Sequence, residues 1–132
     1  MNILIISGDA ATRAHLLKVL TRCPDIASVA EADSAEEDPD RDAPDVIIAD
    51  VSGNTKDVLD TLRRIRGLYP RATILTLGAY RDSRFAVRAL QAGTDGYVLR
   101  NRLSEDLGAA LQAASCGRVY VSPGIAGIAS GD

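Results

Sequence analysis

The hexapeptide DVIIAD, residues 45–50, decides the fold. Four apolar residues stand in a row between two aspartates, so a strand built here is apolar on both of its faces. A strand with one face in water would alternate. One that is apolar on both sides belongs in the middle of a parallel sheet covered by helices. The run ends on Asp50, at the carboxyl end of the strand, where open α/β sheets place their chemistry.

The pattern continues outward in both directions. Residues 56–69 carry Val58, Leu59, Leu62, Ile65 and Leu68 on one helical stripe, stopped by Pro70. ATILTL (72–77) is a fourth strand, and Arg84–Ala92 is a helix closed by Gly93. GYVL (96–99) is a fifth strand. Ser104 is expected to cap a last helix through about Ser115, closed by Gly117, with Asp106 in the first turn where the helix dipole favours a carboxylate. Toward the N-terminus, Ser28–Ala32 reads as a second strand, led in by Pro24-Asp25. Ala11–Cys23 reads as a helix with Ala14, Leu16, Leu17 and Leu20 on helical spacing, and Ile3–Ile6 as the first strand. Five β/α units predict a doubly wound, five-stranded parallel sheet with helices on both faces. One unit is defective: between the second and third strands lie about a dozen residues with Pro39 and no apolar stripe, so the second helix is expected to be short or missing. The domain is expected to span residues 1–117. The tail GRVYVSPGIAGIASGD alternates Val119 and Val121 and then turns Gly- and Ala-rich, so 118–132 reads as an extended piece and a linker.

Composition narrows the function classes. At 132 residues, with 46% hydrophobic and 25% charged residues, the chain is long enough to bury one core. No apolar run is long enough to cross a membrane, and the N-terminus lacks a basic stretch followed by an apolar one, so the cytoplasm is the expected location. Cys23 and Cys116 lack metal-ligand spacing and read as reduced thiols. A net charge of −3 does not suit a polyanion binder. Charge is uneven, however: residues 31–45 hold eight of the 18 acids, and Arg81 to Arg118 hold six of the 15 bases. Such runs read first as solvated faces.

Taken together, PDVIIAD, ILTLGAYRD, RALQAGTDGYVLR and LSEDLGAALQAASCGRVYVSP resemble the receiver domain of response regulators, and specifically the NarL/FixJ type, in which a LuxR-like helix-turn-helix follows. The similarity runs from about residue 2 to Pro123. It implies a CheY-like, flavodoxin-type sheet of strand order 2-1-3-4-5. It also implies that the chain is the regulatory part of a two-component transcription regulator, with a DNA-binding domain beyond the linker and no DNA binding by this fragment. A stand-alone receiver is the other option. By the same resemblance the chain is expected not to be an enzyme, and to form a homodimer. The face would be either the first and fifth helices or the fourth helix, fifth strand and fifth helix, the latter carrying Arg84, Arg88 and Tyr97.

The family's site residues transfer position by position. Asp50 matches the phospho-accepting aspartate. The acid pair that holds Mg²⁺ falls on Ser7 and Gly8, with Asp9 one residue further on. The switch hydroxyl of strand four matches Gly78, the switch aromatic of strand five matches Tyr97, and the lysine ending strand five matches Arg100. The loop after the acceptor reads Ser52-Gly53-Asn54 in place of Met-Pro-Gly.

Phosphoryl transfer to a carboxylate joins two anions and needs a cation to bridge them. Asp50 beside one serine hydroxyl makes a poor cage for Mg²⁺, so its binding is expected to be weak or absent. Asp9 is turned by about 100° relative to the vacated position, given 3.6 residues per turn. Arg100 can grip the Asp50 carboxylate permanently, and Gly78 leaves room for Tyr97 to sit inward without a trigger. The expectation is a degenerate receiver working by protein contact or dimerisation. A working acceptor at Asp50 and a small-molecule sensor remain as alternatives. A flavin phosphate loop at Ser7–Thr12 is a further one, disfavoured by the charge of Asp9.

Overall fold

A computed structural model describes residues 1–34, 43–51, 54–79 and 83–123 of the chain. Its strands are β1 (Asn2–Ser7), β2 (Ser28–Ala32), β3 (Val46–Asp50), β4 (Thr73–Gly78), β5 (Gly96–Leu99) and β6 (Tyr120–Val121). The helices are α1 (Ala10–Leu20), α2 (Thr55–Leu68), α3 (Ser83–Gln91) and α4 (Leu103–Ser115), with a 3₁₀ turn at Arg100–Arg102 before α4. All pairings are parallel, and the sheet order is β2-β1-β3-β4-β5-β6. The second helix of the sequence reading falls in 35–42, outside the described residues. The helices α3 and α4 therefore correspond to the fourth and fifth of the family count.

Period-two alternation sorts the core. Leu4, Ile6, Ile47, Ala49, Ile74, Tyr97 and Leu99 face one way and pack with Val58, Leu62 and Ile65 of α2 and with Phe85, Ala86 and Ala89 of α3. Ile3, Ile5, Val46, Ile48, Leu75, Leu77 and Val98 face the other way, against Leu16 and Val19 of α1 and Leu107, Ala110 and Leu111 of α4. Each of the central strands β1, β3 and β4 thus buries both faces, as DVIIAD requires.

Three expectations need correction. The sheet has six strands among the described residues, because the extended piece after Gly117 pairs with β5 and does not run free. Ser104 does not cap α4: the turn Arg100–Arg102 winds directly into the helix, whose N-cap is Arg102, without a side-chain bond. And α1 ends at Leu20, short of Cys23, with Ala14 exposed and Leu16, Val19 and Leu20 forming its buried stripe. The closures by Gly93 and Gly117 hold, at φ +115° and +69°.

Candidate functional site

The register brings the carboxyl ends of the central strands level. Ser7 lies opposite Asp50, and Asp50 opposite Leu77. Ser7 and Asp50 continue the alternation of Ile5 and Ile48, and Arg100, just past Leu99, continues that of Val98. The three side chains therefore meet on one side of the sheet end. Gly78 and Tyr97 continue the opposite set.

Asp50 is the centre. Its side chain is 6% exposed. Arg100 donates to Oδ1 from Nε at 3.0 Å and from Nη2 at 2.5 Å, and the Ser7 hydroxyl donates to Oδ2 at 2.8 Å. Both guanidinium bonds thus go to one oxygen, leaving the second for serine, so the grip is not the fork-on-fork arrangement of a bidentate pair. Ser7, fully buried, also accepts the Asp9 N–H at 3.2 Å. A buried carboxylate must be paired and hydrogen-bonded, and this one is satisfied by the chain itself.

Asp9 is employed elsewhere. As N-cap of α1 its carboxylate accepts the Ala11 N–H at 3.1 Å and the Thr12 hydroxyl at 2.7 Å. The Thr12 bond first, then the Ala11 N–H, hold its carboxyl below the ordinary carboxylate range, and the positive charge of Arg100 acts in the same direction. Thr12 and Ser7, the hydroxyls a flavin phosphate loop would use, both donate to carboxylates here. Gly8 faces open space: a Cβ built there has the Asp33 carbonyl oxygen at 3.9 Å as its nearest neighbour.

The residues present do not suit Mg²⁺. The ion takes near-octahedral oxygen ligands and one or two free carboxylates. Here the acid-pair positions are a hydroxyl and a glycine, Asp9 caps a helix, and Asp50 is paired. Among the described residues no group of three His, Cys, Asp or Glu could hold a metal ion.

On the other face, Tyr97 lies fully buried over Gly78. A Cβ at residue 78 would stand 2.0 Å from the Tyr97 hydroxyl oxygen and 2.3 Å from Cζ. The ring fills the space a serine or threonine side chain would occupy, and meets Phe85 edge-on at 5.8 Å between centroids.

Sequence reasoning missed Arg13, whose guanidinium bonds the Ser7 carbonyl and Asp33 and pairs with Glu31, tying β2 to the β1–α1 turn. It also missed the pairing of Arg102 with Asp106, at 2.9 and 3.2 Å. Their i, i+4 spacing was a usable signal. Of the remaining residues, Asn54 caps α2 through the Asp57 N–H, while Ser52 and Gly53 lie outside the described residues. Cys23 and Cys116 are free thiols, and His15 stands exposed, 3.4 Å from the Ser104 hydroxyl.

A doubly wound parallel sheet with a buried aspartate ending its third strand, and a cation and an aromatic at the end of its fifth, defines the receiver class of signalling domain. Residues 3–112 match the response regulator receiver domain, and the chain belongs to that family. Within it, the chain is a receiver domain of the NarL/LuxR type. It is 29% identical over 123 residues to the nitrate/nitrite response regulator protein NarL of Escherichia coli (strain K12), covering 91% of this chain and 57% of NarL. It is 25% identical to the response regulator GacA of Pseudomonas viridiflava, covering 96% of this chain and 60% of GacA. The chain thus spans less than two thirds of the length of these relatives. Among solved structures, a LuxR-family two-component response regulator from Aurantimonas sp. SI85-9A1 matches at 30% identity and a TM-score of 0.80, covering 95% of this chain and 91% of that one. The isolated receiver domain of RcsB from Salmonella enterica serovar Typhimurium matches in fold at a TM-score of 0.84 and 21% identity, covering 98% of each chain.

Proposed function

We propose that this is an atypical receiver that regulates by protein contact or dimerisation and not by metal-dependent phosphorylation of Asp50. One observation carries the reading: both oxygens of the Asp50 carboxylate are held by the chain itself, Oδ1 by Arg100 and Oδ2 by Ser7, where an acceptor needs a free oxygen and a bridging cation. The inward ring of Tyr97 supports it further, since Gly78, which matches the family's switch position, has no hydroxyl to be drawn toward a phosphoryl group. In this reading no phosphoryl group sets the state of the domain, and its partners sense the arrangement held by the Asp50–Arg100 pair. By analogy with its relatives it is the regulatory part of a longer bacterial transcription regulator acting in the cytoplasm. On the same analogy DNA contact belongs to a separate part of that regulator, and this receiver region does not bind DNA itself. RcsB dimers have been seen bound to two parallel DNAs, and a homodimer is the assembly proposed here.

The test is mass spectrometry after incubation with acetyl phosphate and Mg²⁺, beside Asp50→Ala and an ordinary receiver that labels under the same conditions. The expected result is no added phosphoryl mass. An adduct that disappears in Asp50→Ala overturns the reading and makes Asp50 a working acceptor.

A further inference from the structure

The strand β6 has only two residues, and its backbone attachment is slight. Tyr120 N–H reaches the Asp95 carbonyl at 3.3 Å, and Ser122 N–H reaches the Tyr97 carbonyl at 3.0 Å. Val121 and Tyr120 pack against the two cores from the sheet edge, and a side chain adds a bonded hold. Ser122 is 1% exposed. Its hydroxyl accepts the Leu99 N–H at 2.9 Å and donates to Asp106 Oδ2 at 2.8 Å. Asp106, also buried, accepts from Arg102 as well, and the Tyr120 phenol lies close enough for its own side-chain bond to Asp106. The buried hydroxyl and the Leu99 amide lose their protein partners when the segment undocks, while Asp106 keeps those from Arg102. Gly96 allows the approach, since a Cβ there would lie 3.2 Å from the Tyr120 carbonyl oxygen and 2.7 Å from Leu75 Cδ2.

The same few residues end at the Asp50 pocket. Arg100 and Arg102 are the first and last residues of a single 3₁₀ turn. The first is held by Asp50 and the last holds Asp106, which holds Ser122. The backbone of that strand end is gripped as well, through the Tyr97 carbonyl and the Leu99 N–H. Pocket and terminal segment therefore hold one short piece of chain from its two sides.

We propose that residues 119–122 form a strap latched by Ser122 onto Asp106, and that the hold of Asp50 on Arg100 keeps the latch closed. With the pair intact, residues 119–122 stay on the edge of β5. When the pair is loosened, the turn Arg100–Arg102 relaxes and the strap is released, changing where any following domain is carried. The two states are discrete because the latch is either fully bonded or open. The device works whether or not Asp50 ever carries a phosphoryl group.

Limited trypsin digestion of the full chain, read by mass spectrometry, tests it. The scissile bond after exposed Arg118 adjoins the strap, so cutting there reports release. Cutting after exposed Arg64 in α2 reports general loosening and serves as the reference. Relative to Arg64, Ser122→Ala is expected to speed the Arg118 cut about tenfold and Arg100→Ala several-fold. The double variant is expected to be no faster than Ser122→Ala, because both act on one step. Ser122→Thr, which keeps the hydroxyl, is expected to cut more slowly than Ser122→Ala. An unchanged Arg118 cut in Ser122→Ala removes the latch. A faster cut in Ser122→Ala with an unchanged one in Arg100→Ala removes the link to the pocket. No phosphodonor or metal is present in the assay, so its outcome is separate from that of the labelling experiment.

Discussion

Gly78 shows how much a single residue decides. The missing side chain removes the hydroxyl that would follow a phosphoryl group and at the same time makes room for the Tyr97 ring. With 2.0 Å between a hypothetical Cβ and the Tyr97 hydroxyl oxygen, even alanine forces the ring to move. Gly78→Ala should therefore cost about 1–3 kcal/mol, the range for overpacking a filled core, as read from urea melts. In a Tyr97→Ala background the same change should cost far less, since the clash is gone. Equal costs in both backgrounds would mean that the ring does not fill this space. The sequence foretold the vacancy at residue 78. It could not tell that the ring would be fully buried, because that depends on Phe85 arriving from another element.

Among the elements, the helix starts carry the informative contrast. Asn54 accepts the Asp57 N–H at 3.0 Å, so Asn54→Ala should destabilise the fold by about 1 kcal/mol, measured by thermal or urea melts. Asp9 caps α1 as an anion. Its carboxyl is held below its usual value, so the folded state binds a proton less readily than the unfolded one. Its contribution is thus present above the unfolded carboxylate value, about 3.9, and is lost as pH falls through the lowered folded value. Melts across an acid series should show Asp9→Asn losing less stability than the parent below about pH 4. A parallel acid limb in both would place the Asp9 carboxylate outside the cap. For α4 the sequence misled: Ser104 followed by acids has the composition of a cap, but the turn from Arg100 already supplied the helical start, and serine fell inside it.

For the whole molecule, β6 covers the outer edge of β5, and we propose the surface of α1 and α4 as the place for a second copy. His15 on α1, beside Ser104 of α4, and Arg88 on α3 are both exposed. A dimer detected by light scattering should dissociate in His15→Glu and persist in Arg88→Glu. The reverse pattern would assign dimerisation to the face of α3, β5 and α4.

The sequence alone determined the layered parallel sheet, because periodicity is carried by neighbouring residues in the chain; its resemblance to receiver domains supplied the order of the first five strands and the positions expected at the pocket. Only the tertiary structure decided that Arg100 and Ser7 would divide the two oxygens of Asp50, that Asp9 would face α1, and that Tyr120–Val121 would join the sheet under Ser122. The first and last are contests for hydrogen bonds between groups distant in sequence, as Asp50 and Arg100 are, whereas Asp9 is taken by its near neighbours Ala11 and Thr12. Burial settles such contests: among the described residues no buried side-chain nitrogen or oxygen is left without a partner.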